Sequence, residues 1–562
     1  MTRQASIRPY LNQAYLLGLL MMAVGLTLSP FLMGMSQFWL VIVWAVDGIA
    51  ANRHRGLDPQ SPDQGKSSSQ LGEDGSSSMT DKGFKDKLSR FWQSNPAVLL
   101  VAFYLLHVVG LLWTSDFHYA LKDLRVKLPI LIMPLVVSGM APLDRKRFRL
   151  VMLVYVLSVF IATLFSFAAY VRHDYGDVRE ISGFISHIRF CLNIVFCIAI
   201  IGYNLVGQKS PWWGKAIQVA LLLWFGYQIF IFESLSGYVI LAAVVAVSAI
   251  YAFLRWKKGR GWRVAVAVSI VAVLGVATIV IIHKIKPLLK VETVDFGILE
   301  QTTAQGNPYW HDTVYNPVED GKFVGLYYCK KEMQEAWQQR SRLPLEGQTL
   351  NGEDLEATLA RYLTSKDLRK DAEGIAALTG EDVRNIEQGM ANYNNWRHPG
   401  LRARLSVTLF EYNLYRRSGN PNGGSLSQRI EFTRAAFHII SRHPLFGVGT
   451  GDVPQAFSQT YDEIHSPLSE EYRFRAHNQY LSIMIAFGVV GLLVFLAALL
   501  VPWLSSRKNR TYLYTVFLAI MLLSMLPEDT LETQAGASMF AFFESLLLLA
   551  FPVDDESKTL TI

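Results

Sequence analysis

Cysteine, charge and two-residue alternation are all scarce in this chain. Three cysteines, Cys191, Cys197 and Cys329, are spread over 562 residues. The first two share an apolar run and the third stands alone, so neither a disulfide framework nor a zinc site is indicated. Charged residues make up 18% of the sequence against 51% hydrophobic residues, and the mean hydropathy is +0.24. A soluble protein of this length rarely has that balance. The apolar segments do not alternate with period two, which excludes a transmembrane β-barrel. No Gly-Lys-Ser/Thr follows a glycine-rich turn, so a nucleotide P-loop is excluded as well. The formal net charge of +7 is therefore read as a signal of topology, not of a nucleic-acid partner.

What the chain has instead is a series of apolar segments long enough to cross a bilayer as helices. They fall near 11–29, 32–50, 96–113, 127–143, 149–171, 187–206, 215–232, 237–254, 264–282, 478–501, 511–527 and 535–552. The fold class expected is an all-α polytopic membrane protein with about twelve spans. Arg3 and Arg8 precede the first run as in a signal peptide, but no small-x-small site follows, so an uncleaved first span is expected. Basic clusters lie at Arg145–Arg149, Arg255–Arg263 and Arg507–Arg510. All three fall on the same side of this arrangement, which the positive-inside rule makes cytoplasmic. Both termini are then cytoplasmic, and 283–477 is one large outer loop between spans nine and ten.

Three units follow: spans one to nine over 1–282, the outer loop over 283–477 (periplasmic in a bacterial inner membrane, as the resemblance given below implies), and the last three spans with a tail over 478–562. The stretch 52–95 is polar and Gly/Ser-rich, and it is expected to be a disordered cytoplasmic linker. Helices are expected in the loop at 328–341, 353–371, 380–391 and 426–442. In the second, Glu353, Asp354 and Glu356 come early and Lys366, Arg369 and Lys370 come late, which suits the helix dipole of a surface helix.

From Trp396 to His443 there are eight arginines, no lysines and only two acids. Guanidinium groups grip phosphate oxygens through a bidentate fork, so a lipid diphosphate is one reading and contact with anionic headgroups the other. At 100° per residue, Arg429 falls with Ile430, Thr433, Ala436, Phe437 and Ile440 on the apolar side of helix 426–442. Glu431, Arg434, His438 and Arg442 fall on the solvated side. A guanidinium on an apolar face needs a partner, either a structural ion pair or a bound diphosphate.

Next comes HPLFGVGTG, His443 to Gly451, whose glycines would let backbone N–H groups approach an anion. His477 and Asn478 then open the tenth span. A histidine there is either a cap at the interface or a general base, for which its pKa range is suited.

These residues resemble the O-antigen ligase and O-antigen polymerase superfamily of bacterial envelope glycosyltransferases. The resemblance rests on an arginine-bearing helix, the Pro-x-x-Gly-x-Gly-x-Gly element (Pro444 to Gly451), and His-Asn before an apolar Gly-x-x-Gly span (His477, Asn478, Gly488, Gly491). It is sharpest over 428–500. PEDTLETQAG, Pro527 to Gly536, is similar to the family's outer turn between the last two spans. The resemblance implies transfer of a glycan from undecaprenyl diphosphate to an acceptor hydroxyl, without a cofactor and without metal. It implies that Arg429 binds the diphosphate and that His477 activates the acceptor. The family's second outer arginine has no counterpart near Gly237, where the sequence reads ESLSGYV.

The wider candidate set for the lipid diphosphate is Arg125, Arg189, His187, Arg434 and Asn478. SHIRF (Ser186 to Phe190) and LRVKLP (Leu124 to Pro129) would line a groove for it, or else snorkel to the interface. Asp462, Glu463, Glu470 and Glu471 are read as a solvated rim and not as magnesium ligands. The function expected is a ligase joining O-antigen to lipid A-core. A polymerase of repeat units or a protein O-oligosaccharyltransferase would have the same site with another acceptor. A lipid-linked glycan flippase is the reading from another class, disfavoured because no internal repeat is visible. The segment 291–425 is read as an insertion for acceptor recognition.

Overall fold

The computed structural model describes residues 7–53, 83–172, 181–207, 210–255 and 285–550, with isolated positions between 256 and 284. The first nine helices are α1 (Ile7–Leu28), α2 (Pro30–Arg53), α3 (Phe84–Gln93), α4 (Asn95–Val109), α5 (Phe117–Gly139), α6 (Arg145–Arg172), α7 (His187–Gly207), α8 (Trp212–Ile231) and α9 (Leu235–Arg255). The loop contributes α10 (Lys330–Gln338), α11 (Leu355–Ser365), α12 (Ala372–Ala376), α13 (Gly380–Glu387), α14 (Tyr393–Arg397), α15 (Leu401–Ser418), α16 (Ser425–Arg442) and α17 (Val453–Glu463). The chain closes with α18 (Gln479–Ser505), α19 (Tyr512–Ser524) and α20 (Gln534–Leu549).

Among the described residues, eight helices are long and apolar enough to cross a membrane. They coincide with eight of the expected spans. The fourth expected span is a helix too, α5, but Lys122, Asp123, Arg125 and Lys127 crowd its first half. The last two are the shorter apolar helices α19 and α20. The ninth, 264–282, lies almost wholly outside the described residues. All three cysteines are free and buried.

The linker expectation needs correction at one end. Residues 84–93 form an amphipathic helix whose Phe91 is buried and whose Lys87 pairs with Asp47 at 2.6 Å. Phe84, Lys87 and Phe91 recur at helical spacing, a local pattern that the polar average of 52–95 conceals. The rest of that expected linker, 54–82, lies outside the described residues.

The main core is continuous from α1 to α20 and includes Phe432, Ala435 and Ile439 of α16. The loop adds a second, separate core. Met333 and Trp337 of α10, Leu355, Leu359, Tyr362 and Leu363 of α11, and Val383 and Ile386 of α13 build it. A two-stranded sheet lies nearby, β1 (Val318–Glu319) antiparallel to β2 (Lys322–Phe323). α11 is therefore not a surface helix, because one of its sides is the centre of this core. The acidic half of its expected dipole signal is real, since Asp354 is the N-cap and accepts from the Ala357 N–H at 2.7 Å, but Arg369 and Lys370 lie beyond the end of the helix. It ends six residues earlier than expected, with Asp367 at φ 59° turning the chain.

α15 and α17 were not among the expected helices. α15 is preceded by its N-cap Gly400, whose N–H donates to the Glu233 carboxylate at the turn between α8 and α9. The loop is thereby tied to the apolar body near the start of the arginine-rich stretch.

Candidate functional site

Two turns converge on the first half of α18. The first is the glycine-rich element Pro444–Gly451. At Gly488 the helix breaks, with φ 65° and ψ −161°. An unbroken helix would bond the N–H groups of Val489 and Val490 to the carbonyls of Ile485 and Ala486. Here Val448 and Gly449 donate to those carbonyls, both at 2.9 Å. Val489 and Val490 donate instead to Pro444 at 2.9 Å and Leu445 at 3.3 Å. The turn is spliced into the helix, and every freed polar group finds a partner, as a dry environment demands.

Glycine is needed on both sides of the splice. A Cβ on Gly488 would lie 2.2 Å from the Leu445 carbonyl, and one on Gly447 would lie 2.3 Å from the Ala486 backbone. The expectation that this turn offers its N–H groups to an anion is thus corrected for Val448 and Gly449, which bond the helix. The far end of the turn is fixed as well. Thr450 Oγ1 donates to the His107 carbonyl at 2.7 Å, and the Asp452 carboxylate accepts from the N–H groups of Ser115 and Asp116.

The second turn, Pro527–Glu532, works through side chains. Glu528 takes a hydrogen bond from Arg429 Nη2 at 2.8 Å. Asp529 Oδ1 lies 3.8 Å from His477 Nδ1, and its Oδ2 lies 3.7 Å from Arg475. Glu532 accepts from Lys127 of α5 at 2.8 Å, from Arg475 at 3.1 Å and from Gln479 at 3.1 Å. Lys127 also pairs with Asp123, and Arg475 donates to the Tyr119 hydroxyl at 2.8 Å. A cavity of about 20 Å³, room for a single water, lies among Tyr119, Asp123, Lys127, Arg475 and Glu532.

His477 itself is at φ 46°, a left-handed conformation uncommon for a non-glycine residue. Its ring lies 5.5 Å from the Phe432 ring and 6.3 Å from that of Phe474. Nδ1 is buried and makes no hydrogen bond. Burial pushes the imidazole pKa down and Asp529 pulls it up. Arg429, Arg475 and Arg189 push it down again, leaving it below the ordinary histidine value. Burial pushes the Glu528 carboxyl above its usual range although Arg429 opposes this. For Glu532 burial acts upward too, but Lys127 and Arg475 outweigh it and hold the carboxyl well below the usual range.

The expected residues divide accordingly. Arg429 and His477 meet at the same acidic turn. Arg189 joins them electrostatically, since its charge acts on both His477 and Glu528, and its own buried Nε has no hydrogen-bond partner. Gly237, where the expected second arginine is missing, packs against Cys191 of α7, two residues beyond Arg189. His187 is half-buried at the start of α7, while Arg125 and Arg434 are exposed. Asn478 is committed to structure: Oδ1 caps α18 at Leu481 and Nδ2 donates to the Leu526 carbonyl.

The helical face assigned to α16 needs correction. Its buried residues are Ser427, Glu431, Phe432, Ala435, Ala436, Ile439 and Ile440, while Ile430 and Phe437 are exposed. Glu431, expected in solvent, accepts from the hydroxyls of Tyr415 and Ser466, both at 2.8 Å. The helix is covered by α15, α17 and α18 on a side rotated from the one chosen by apolar periodicity, because a hydrogen-bonded carboxylate can occupy a core position. Among the other arginines of the stretch, Arg417 bonds the Asn316 carbonyl and Arg442 pairs with Glu463. The four acids of the expected rim remain exposed, with Asp462 paired to Arg473.

Sequence reading missed Glu528, Asp529, Glu532 and Arg475. The signal was available in PEDTLE, three acids in six residues between two apolar helices. His477, Glu528 and Asp529 also offer ligand atoms that all lie within 4.8 Å of one another. A cation there would share its surroundings with the guanidinium groups of Arg189, Arg429 and Arg475.

Residues 400–496 match the O-antigen ligase family model. That range holds Arg429, the spliced turn and His477, and the acidic turn lies beyond it. No curated protein matches the chain.

Proposed function

From the family match, which supports assignment to the O-antigen ligase/polymerase superfamily, we propose that this chain moves a glycan from undecaprenyl diphosphate to a hydroxyl of lipid A-core. The observation that carries the reading is the meeting of Arg429, His477 and Asp529 at the mouth of α18. The setting is the periplasmic face of the inner membrane, with both termini cytoplasmic and the lipid-linked glycan and lipid A-core as partners.

The chemistry follows from the charges. Diphosphate is a good leaving group, so catalysis needs orientation, stabilisation of the departing charge and removal of the acceptor proton. Arg429 receives the diphosphate, with Arg189 supplying the second positive charge. Glu528 holds the Arg429 guanidinium in the free enzyme and gives way as phosphate oxygens arrive. Arg125, His187 and Arg434 extend the positive surface along the path of the carrier. His477 Nδ1 is turned towards Asp529, which leaves Nε2 for the acceptor hydroxyl. A depressed pKa keeps Nε2 unprotonated at neutral pH. The acceptor oxygen forms the new glycosidic bond as the anomeric carbon–phosphate bond breaks. The proton goes to His477, the electron pair leaves with the diphosphate, and the anomeric configuration inverts. Neither cofactor nor metal enters this scheme.

Deletion of the gene and examination of the envelope glycans is the test. A ligase defect leaves long glycan on the lipid carrier and bare core. Single repeats on core would reassign the chain as a polymerase, and intact lipopolysaccharide with bare glycoproteins as a protein glycosyltransferase. Substrate trapped on the cytoplasmic face would make it a flippase. His477→Ala and Arg429→Ala should each reproduce the deletion at normal protein level.

A further inference from the structure

We infer that Glu532 is a positioning residue for His477, gripping the chain on both sides of it and offsetting the Arg475 charge beside the imidazole. This rests on His477 being the base of the reaction proposed above.

The geometry is a clamp. Arg475 and Gln479 each lie two residues from His477, and both donate to Glu532, at 3.1 Å each. Gln479 returns the contact, because its Oε1 accepts from the Leu531 N–H at 2.7 Å. The histidine between them has a left-handed backbone, and its Nδ1 makes no hydrogen bond. The bonds of Arg475 and Gln479 to Glu532 hold the chain on either side of it. Lys127, 2% exposed, ties the clamp to α5 through Glu532 Oε2, the same oxygen that accepts from Arg475. The three donors come from two separate parts of the chain, α5 and the entry to α18, and one carboxylate joins them.

The electrostatic part concerns Arg475. It lies between Glu532 at 3.1 Å and Asp529 at 3.7 Å, and its charge lowers the affinity of His477 for a proton. The charged groups acting on His477 are Asp529, Arg429, Arg475 and Arg189, and the Glu528 carboxyl lies in the same cluster. Those around Glu532 are Lys127, Arg475 and, one step further, Asp123, with the Tyr119 hydroxyl and His107 on the cavity wall. Without the Glu532 charge, Arg475 and Lys127 are left with one excess positive charge beside the imidazole.

The test uses full-length protein in proteoliposomes, undecaprenyl-diphosphate-linked glycan and an acceptor, with Glu532→Gln, Glu532→Asp and the double variant Lys127→Met/Glu532→Gln. For Glu532→Gln, kcat should fall about 10- to 100-fold, the scale of a small misplacement of a reacting group. KM for the lipid-linked glycan should stay within about threefold, because binding of the diphosphate is not what is lost. Only unprotonated His477 acts as a base, so activity declines below its pKa. An added positive charge lowers that pKa, and the acid limb of the kcat profile should move to lower pH. The double variant should return the limb towards its original position while kcat stays low. Glu532→Asp should keep the limb and recover part of kcat.

A merely structural residue would reduce the amount of folded protein and leave kcat per folded molecule and the pH profile unmoved in all three variants; that result overturns the inference. Wild-type kcat in Glu532→Gln beside an inactive His477→Ala also overturns it and leaves the reading of the site intact. An active His477→Ala sinks that reading itself.

Discussion

The two turns that meet α18 engage it by opposite means. Pro444–Gly451 uses backbone alone, trading hydrogen bonds with a helix that breaks to receive it. Pro527–Glu532 uses three carboxylates, each directed at a different cation or at the histidine. The first turn is rich in glycine and conspicuous as a motif, yet its work is construction. The second is rich in acids, and it holds the groups that set the charge of the site. A glycine pattern near a proposed anion site therefore says little about what binds the anion until the destinations of its N–H groups are known.

The comparison can be broken most severely at Gly488. Gly488→Ala places a Cβ 2.2 Å from the Leu445 carbonyl at positive φ. The expected cost is on the order of 3 kcal/mol or more. It should be read as loss of folded protein in a thermal-shift or fluorescence size-exclusion measurement. A well-folded Gly488→Ala protein would show that the splice is dispensable.

Asp529→Asn tests the other turn and should behave in the contrary way. Folded protein should be close to normal, and kcat should drop about 100-fold, within the range for impaired acid–base catalysis. Asp529 raises the proton affinity of His477. Its neutralisation should shift the acid limb of the kcat profile to lower pH. A limb that stays put would mean that the carboxylate does not act on the imidazole.

Metal removal sharpens the same turn. Exhaustive EDTA treatment should leave transfer activity unchanged. Loss restored by magnesium would make His477, Glu528 and Asp529 a cation site and not a base with its partners. The smallest effect is expected at Arg434. It is exposed, so Arg434→Ala should change stability by no more than about 0.5 kcal/mol and lower activity far less than Arg429→Ala.

Particular residues show what could be read in advance. The spans were legible because eight of them are long uninterrupted apolar runs. Arg429 and His477 were legible through a motif inside the matched range. Their partners were not, because Glu528 and Asp529 follow an entire further helix, α19, and only the packing of helices brings the turn back. Glu431 was misplaced because a charge in sequence looks like solvent, whereas two hydroxyls can satisfy it inside. α11 was read from its charges, and the burial of Leu355, Leu359 and Tyr362 in a second core had no counterpart in that argument.

The splice at Gly488 has a mechanical consequence. α18 is two rods with a neighbouring strand of chain as the joint, so its outer half cannot tilt alone. Leaning it sideways would shear the bonds to Pro444, Leu445, Val448 and Gly449 together, and would drag α16 and Arg429 along. That wall of the site is a fixed post.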